Sequence, residues 1–97
     1  MNNEQYLYMK LSEESSEISK ECMKIMQFGL DSRNPDTGVS NIDALNMEIN
    51  DLLAIIELLQ DEGYFTFEKD ETHIENKKLK VSRFRNFSRD LGYVSKK

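Results

Sequence analysis

The chain has 97 residues, 38% of them hydrophobic and 32% charged, and its 13 Lys and Arg against 18 Asp and Glu give a net charge of −5. That length holds one domain, and a domain of this size buries only about 60–68% of the surface its unfolded chain exposes, so a lone monomer is marginal and a second copy is a natural completion of the core. A single cysteine, Cys22, excludes an intramolecular disulfide, and the longest nearly apolar run, Leu52 to Leu59 interrupted by Glu57, falls far short of the ~20 residues of a membrane span. With no charged-then-apolar leader at the start, the expected setting is cytoplasmic and reduced, with no membrane partner.

The few helix breakers, Pro35, Gly29, Gly38, Gly63 and Gly92, divide the chain into three long segments. From about Asn3 to Phe28, Leu7, Leu11, Ile18, Cys22 and Ile25 recur at helical spacing, and Gly29 ends the run. Residues Gly29 to Asn41 are too polar and too broken for an element and predict a loop; a loop of this length in a compact domain is often functional. A second helix is predicted from about Ile42 to Glu62, capped by Ser40 or Asn41, with Leu45, Ile49, Leu52, Leu53, Ile56 and Leu59 on one face and Gly63 at its end. Tyr64-Phe65-Thr66-Phe67 has strand propensity but no partner and reads as an aromatic connector packed on the bundle. A third helix follows from about Glu71 to Leu91, with Leu79, Phe84, Phe87 and Leu91 as its apolar side. The expected fold is therefore all-α: a single domain over residues 1–97, a helical bundle completed by homo-oligomerisation, with a basic C-terminal helix.

Charge is divided along the chain. Residues 1–76 hold 5 basic and 17 acidic side chains, whereas residues 77–97 hold 8 basic and 1 acidic. The basic set is Lys77, Lys78, Lys80, Arg83, Arg85, Arg89, Lys96 and Lys97. Such a tail attracts phosphate groups, nucleic acid or the acidic part of the same chain, and it is as readily a solvated face.

The chemistry-bearing feature is a pair of acidic clusters, Glu13-Glu14-Ser15-Ser16-Glu17 and Glu48-Ile49-Asn50-Asp51. At about 100° per residue with Leu7 at zero, the first helix's apolar stripe centres near +25° and Glu14 falls at about −20°, beside it. Glu21, at about −40°, and Glu17, at about −80°, line the border of that stripe, while Glu13 turns away. On the second helix Glu48 and Asp51 likewise stand among aliphatic residues. A single Glu-x-x-Glu is usually a solvated face or half of an ion pair. Two such pairs bordering apolar stripes on helices joined by one loop are more specific, because unpaired carboxylates beside a core repel one another and need a positive charge. No Lys or Arg within the motifs is placed to pair with all of them, and one hard divalent cation, Mg²⁺ first and Mn²⁺ as a substitute, compensates several at once. Histidine or cysteine ligation is disfavoured, since His73 and Cys22 share no motif.

The order Glu-Glu-x-x-Glu, loop, Glu-x-x-Asp and aliphatic helix, here EESSE at 13–17 and EIND at 48–51, resembles the MazG-like all-α NTP pyrophosphatase superfamily. The intervening KIMQFGLDSRNPDTGVSN is similar to the Phe-Gly-Leu-Asp stretch of its small single-domain members. The likeness covers roughly residues 7–62. It implies Mg²⁺ ligation by Glu14, Glu17, Glu48 and Asp51, and hydrolysis of a (deoxy)nucleoside triphosphate between the α and β phosphates to a monophosphate and pyrophosphate, by a homodimer or homotetramer. A carboxylate not fully used as a ligand takes the proton of the attacking water, with Glu13 and Glu17 as the candidates. Arg33, Lys77, Lys80 and Arg83 are the cations available to the triphosphate. The competing readings are a non-enzymatic nucleic-acid-binding or regulatory protein working through the basic helix, which leaves the inward carboxylates unexplained, and an inactive relative. Nucleic acid is therefore the less expected partner. Tyr6, Tyr8, Phe28, Tyr64 and Phe65 are the aromatic residues available to stack on a base.

Overall fold

The computed structural model describes residues 1–95; Lys96 and Lys97 of the basic set lie outside the described residues. It contains three helices, α1 (Asn3–Phe28), α2 (Asn41–Asp61) and α3 (Glu71–Asp90). The chain forms two compact units, Met1–Phe67 with α1 and α2, and a second beginning at Glu68 with α3. Each helix starts where a side chain can satisfy its first backbone donors. Asn2 and Gln5 form a reciprocal capping box on α1, at 2.8 and 2.9 Å. Ser40 Oγ accepts from the Asp43 amide on α2 and Asp70 Oδ1 from the His73 amide on α3. Gly29 ends α1 with φ +92°, its amide donating to the Ile25 carbonyl at 2.8 Å.

In the first unit, α1 and α2 form an antiparallel helical hairpin. Asn3 Nδ2 at the start of α1 donates to Glu62 Oε1 just past the end of α2, at 3.1 Å, and to the Tyr64 hydroxyl at 3.2 Å. The aromatic connector is held here without a strand partner: the Tyr64 amide donates to the Leu59 carbonyl and the Phe67 amide to Gln60 Oε1. The connection between the helices is non-helical as expected, yet it is closely stitched. Arg33 pairs with Ser40, the Asn34 amide donates to the Val39 carbonyl, and Asn34 Oδ1 accepts from the amides of Asp36 and Thr37. Two further bonds sew the loop to the head of α2, Asn41 amide to Ser32 carbonyl and Ile42 amide to Leu30 carbonyl. The Asn41 side chain joins them by donating to the Gly29 carbonyl at 2.8 Å.

Only Leu7 and Leu59 are buried hydrophobics among the described residues. Leu11, Ile18, Ile25, Leu45, Leu52, Ile55 and Ile56 are half-buried around them. Ile42, Ile49 and Leu53 stay exposed on one side of α2, and Cys22 is exposed on α1 although the sequence pattern includes it in the apolar stripe. In the second unit, Lys78 pairs with Glu75 at 3.0 Å, and Leu79, Phe84, Phe87 and Leu91 are all exposed.

Candidate metal centre

The antiparallel register decides which acids meet. Eleven residues along α1 from Asn3 stands Glu14, and eleven residues back along α2 from Glu62 stands Asp51, so the pairing that joins the ends also brings these two level. Glu48 lies one turn from Asp51 on the same side of α2. Glu14, Glu48 and Asp51 each present a carboxylate oxygen within 4.8 Å of the others, with Glu14 and Glu48 half-buried and Asp51 exposed. Among the described residues, no ion pair reaches Glu14, Glu17, Glu48 or Asp51. The consequence falls on Glu48: burial raises its carboxyl above the ordinary range, and the charges of Asp51, Glu17, Glu14 and Glu21 push the same way.

The adjacent acids of α1 have different surroundings. Glu17 is half-buried one turn from Glu14 and close enough for its charge to act on Glu48, although it stands outside the cluster of three. Glu13 is exposed and paired with Lys10 at 3.1 Å, and that bond holds the Lys10 ammonium above its ordinary pKa. This is the division the helical projection suggests, Glu14 inward and Glu13 away.

The donor set suits a hard divalent cation. Oxygens around one six-coordinate Mg²⁺ are about 3–4 Å apart, given metal–oxygen distances of about 2.0–2.1 Å. Three carboxylate oxygens already within 4.8 Å of one another and engaged in no ion pair are close to that spacing. Glu14, Glu48 and Asp51 could hold the ion, and Glu17 is the neighbouring carboxylate.

One residue without a role in the sequence reading stands out in the structure. Glu21 is 6% exposed, its Oε1 accepts from Lys24 Nζ at 3.4 Å, and its Oε2 is buried with no hydrogen-bond partner. It lines a cavity of about 390 Å³ enclosed by the C-terminal half of α1, the stitched loop and the head of α2. The signal that could have found it was its place on the border of the apolar stripe, beside Glu14.

The expected phosphate-binding cations are in different settings. Arg33 lines the same cavity, is exposed, and donates from Nη1 to the Gly38 carbonyl at 2.8 Å, so one of its donors serves the loop. Lys77, Lys80 and Arg83 belong to the second unit. There Lys80 and Arg83 line a shallow groove of about 270 Å³ with Asn76 and Leu79, and the Arg83 guanidinium lies 5.1 Å from the centre of the Phe84 ring.

No family model, curated protein or solved structure matches the chain. Among the described residues, no helix is long and apolar enough to cross a membrane.

Proposed function

We propose that this protein is a Mg²⁺-dependent nucleoside triphosphate pyrophosphohydrolase of the MazG-like kind, which cleaves a (deoxy)nucleoside triphosphate between the α and β phosphates. The observation that carries the reading is the convergence of Glu14, Glu48 and Asp51 from two helices without a cationic partner. Glu14, Glu48 and Asp51 would hold the ion, with Glu17 beside them. Bound there, Mg²⁺ supplies charge neutralisation and alignment of phosphate oxygens.

Water attack on phosphorus breaks the P–O bond of the α–β bridge, and the water's proton needs an acceptor. Glu17 is the better of the two candidates, since it is half-buried next to the cluster whereas Glu13 is exposed and tied to Lys10. Arg33 retains donors beyond the one given to Gly38 and is the cation beside the cavity. Lys77, Lys80 and Arg83 on α3 are further cations that attract phosphate. The working form is a homodimer or a homotetramer, because the first unit leaves Ile42, Ile49 and Leu53 uncovered.

The test is product analysis on purified protein with Mg²⁺ and a panel of NTPs and dNTPs, beside Glu14→Gln. The expected result is monophosphate plus pyrophosphate, lost in EDTA and in the variant. Absence of turnover on every nucleotide, in folded and oligomeric protein, overturns the reading.

A further inference from the structure

We propose that the exposed apolar face of α3 docks on the exposed aliphatic stripe of α2 in a second copy of the chain, so that each protomer receives the third helix of its partner. The contact presupposes the homo-oligomeric form proposed above and is independent of the hydrolase chemistry.

Two apolar faces stand open in the single chain. No residue of α3 is buried. With Phe84 at zero and about 100° per residue, Val81, Leu91 and Phe87 fall at about +60°, −20° and −60° and make one face with it. All four are more than half exposed. On α2, with Leu45 at zero, Ile49, Ile42 and Leu53 fall at about 40°, 60° and 80°, and they too are exposed. The two faces match in length. Eleven residues separate Ile42 from Leu53 and ten separate Val81 from Leu91, an advance of about 15–17 Å in each helix.

Charge decides what covers them. Arg83 and Arg85, at about −100° and +100°, border the α3 face on its two sides, and Glu57 and Asp61, at about 120° and 160°, border the α2 stripe. Among the described residues, no ion pair reaches any of these four. From Lys77 to Arg89, α3 holds six Lys and Arg and no acid, whereas α2 holds five acids and no Lys or Arg. Two α2 stripes brought together would set acid against acid, and two α3 faces cation against cation, and such like-charge contacts suppress pairing. An anionic lipid surface suits α3 but is repelled by the acidic border of α2. A second copy that places α3 on α2 covers both apolar faces and compensates both charged borders. About a two-fold axis the same contact is made twice.

The test uses full-length chains with the borders reversed. One variant is Arg83→Glu, Arg85→Glu and the other is Glu57→Lys, Asp61→Lys, with circular dichroism confirming that each folds. Analytical ultracentrifugation should find the unaltered protein self-associated, each variant alone at least tenfold weaker, and an equal mixture of the two associating again at the strength of the unaltered protein. In the mixed pair the acidic α3 of one chain meets the basic α2 of the other, and the second contact is the unaltered one. Both variants keep a net negative charge, so attraction between whole molecules does not account for recovery. A mixture that fails to recover overturns the assignment. If either variant does not fold, Phe84→Ser with Phe87→Ser is measured in its place: loss of self-association supports the contact and unchanged self-association overturns it. Association that persists in both charge variants overturns the α3 contact while the homo-oligomeric form stands. A monomeric unaltered protein overturns both, and its sedimentation with phosphatidylserine vesicles would give the α3 face to a lipid surface.

Discussion

Glu14 of α1 and Glu48 of α2 face each other across the helical hairpin, each with an oxygen within 4.8 Å of the other and of Asp51, and no ion pair among the described residues reaches either. The pairing is repulsive in the metal-free chain, so the helix contact itself is weakened at this level. A cation that binds here acts on stability as well as on chemistry. At a Mg²⁺ concentration about 100 times its Kd, binding adds about 2.7 kcal/mol, which for a domain of this size raises Tm by on the order of 10 °C. Glu14→Gln and Glu48→Gln should each lose most of that rise. Differential scanning fluorimetry with and without Mg²⁺ checks it; equal shifts in the variants would place the ion elsewhere.

The raised Glu48 carboxyl gives the metal-free protein a definite pH dependence. The folded chain binds this proton more tightly than the unfolded chain does, so the contribution is fully present below the ordinary value of 4.5 and is lost as pH rises through the folded pKa. Glu48→Gln abolishes the titration. In EDTA, the stability of Glu48→Gln relative to the unaltered protein should therefore increase from pH 4.5 to pH 7. Urea unfolding at the two pH values reads the difference, and a constant offset would show that Glu48 titrates normally.

Much of this was legible beforehand because three long segments with few breakers leave the chain little choice. The structure starts and ends α1 at the residues expected, and α2 and α3 differ by single residues at their ends. Glu14 was legible because its angle on the helix is a local property. Glu21 has an equally favourable angle, but whether a border residue is satisfied depends on the loop that folds over it. The stitching of that loop by Asn34 and Asn41 follows from backbone geometry that no periodicity encodes. The same limit applies to Ile49 and Leu53: the hydrophobic pattern puts them on the apolar face, yet the hairpin buries the neighbouring side of the helix, centred on Asn41 and Leu59.

Glu13 and Glu17 are distinguished by their partners. Removing the Glu17 carboxylate removes the proposed proton acceptor and should reduce kcat by on the order of 100-fold or more. Glu13→Gln breaks only an exposed pairing with Lys10, and the expected loss is less than tenfold. Steady-state pyrophosphate release by the two variants makes the comparison, and the reverse order would assign the base to Glu13.

The loop's geometry depends on Gly38, whose φ is +74° and whose amide donates to the Asn34 carbonyl at 2.8 Å. A Cβ at this position meets nothing within 4 Å, so the cost of Gly38→Ala is backbone strain alone, about 1 kcal/mol. The expected result is faster hydrogen exchange at the loop amides of Asp36 and Thr37, with α1 and α2 retained. Unchanged exchange would mean that the loop tolerates the left-handed conformation without glycine.

The first unit's exposed aliphatic stripe predicts the state of assembly. Ile42, Ile49 and Leu53 are 39%, 39% and 50% exposed on one side of α2, while Leu7 and Leu59 are the buried hydrophobics among the described residues. Two buried leucines contribute about 3–6 kcal/mol, at the figure of about 1.5–3 kcal/mol for each fully buried side chain. That is small against the conformational entropy of ordering the helices, so covering the stripe with a second copy would add what the single hairpin lacks. The double variant Ile49→Lys, Leu53→Lys places charges in the centre of that contact. Analytical ultracentrifugation should find the unaltered protein as a dimer or tetramer, with a Tm that rises with protein concentration, and the variant as a monomer whose Tm is lower and independent of concentration. A monomeric unaltered protein with the same Tm at all concentrations would leave the stripe without this role.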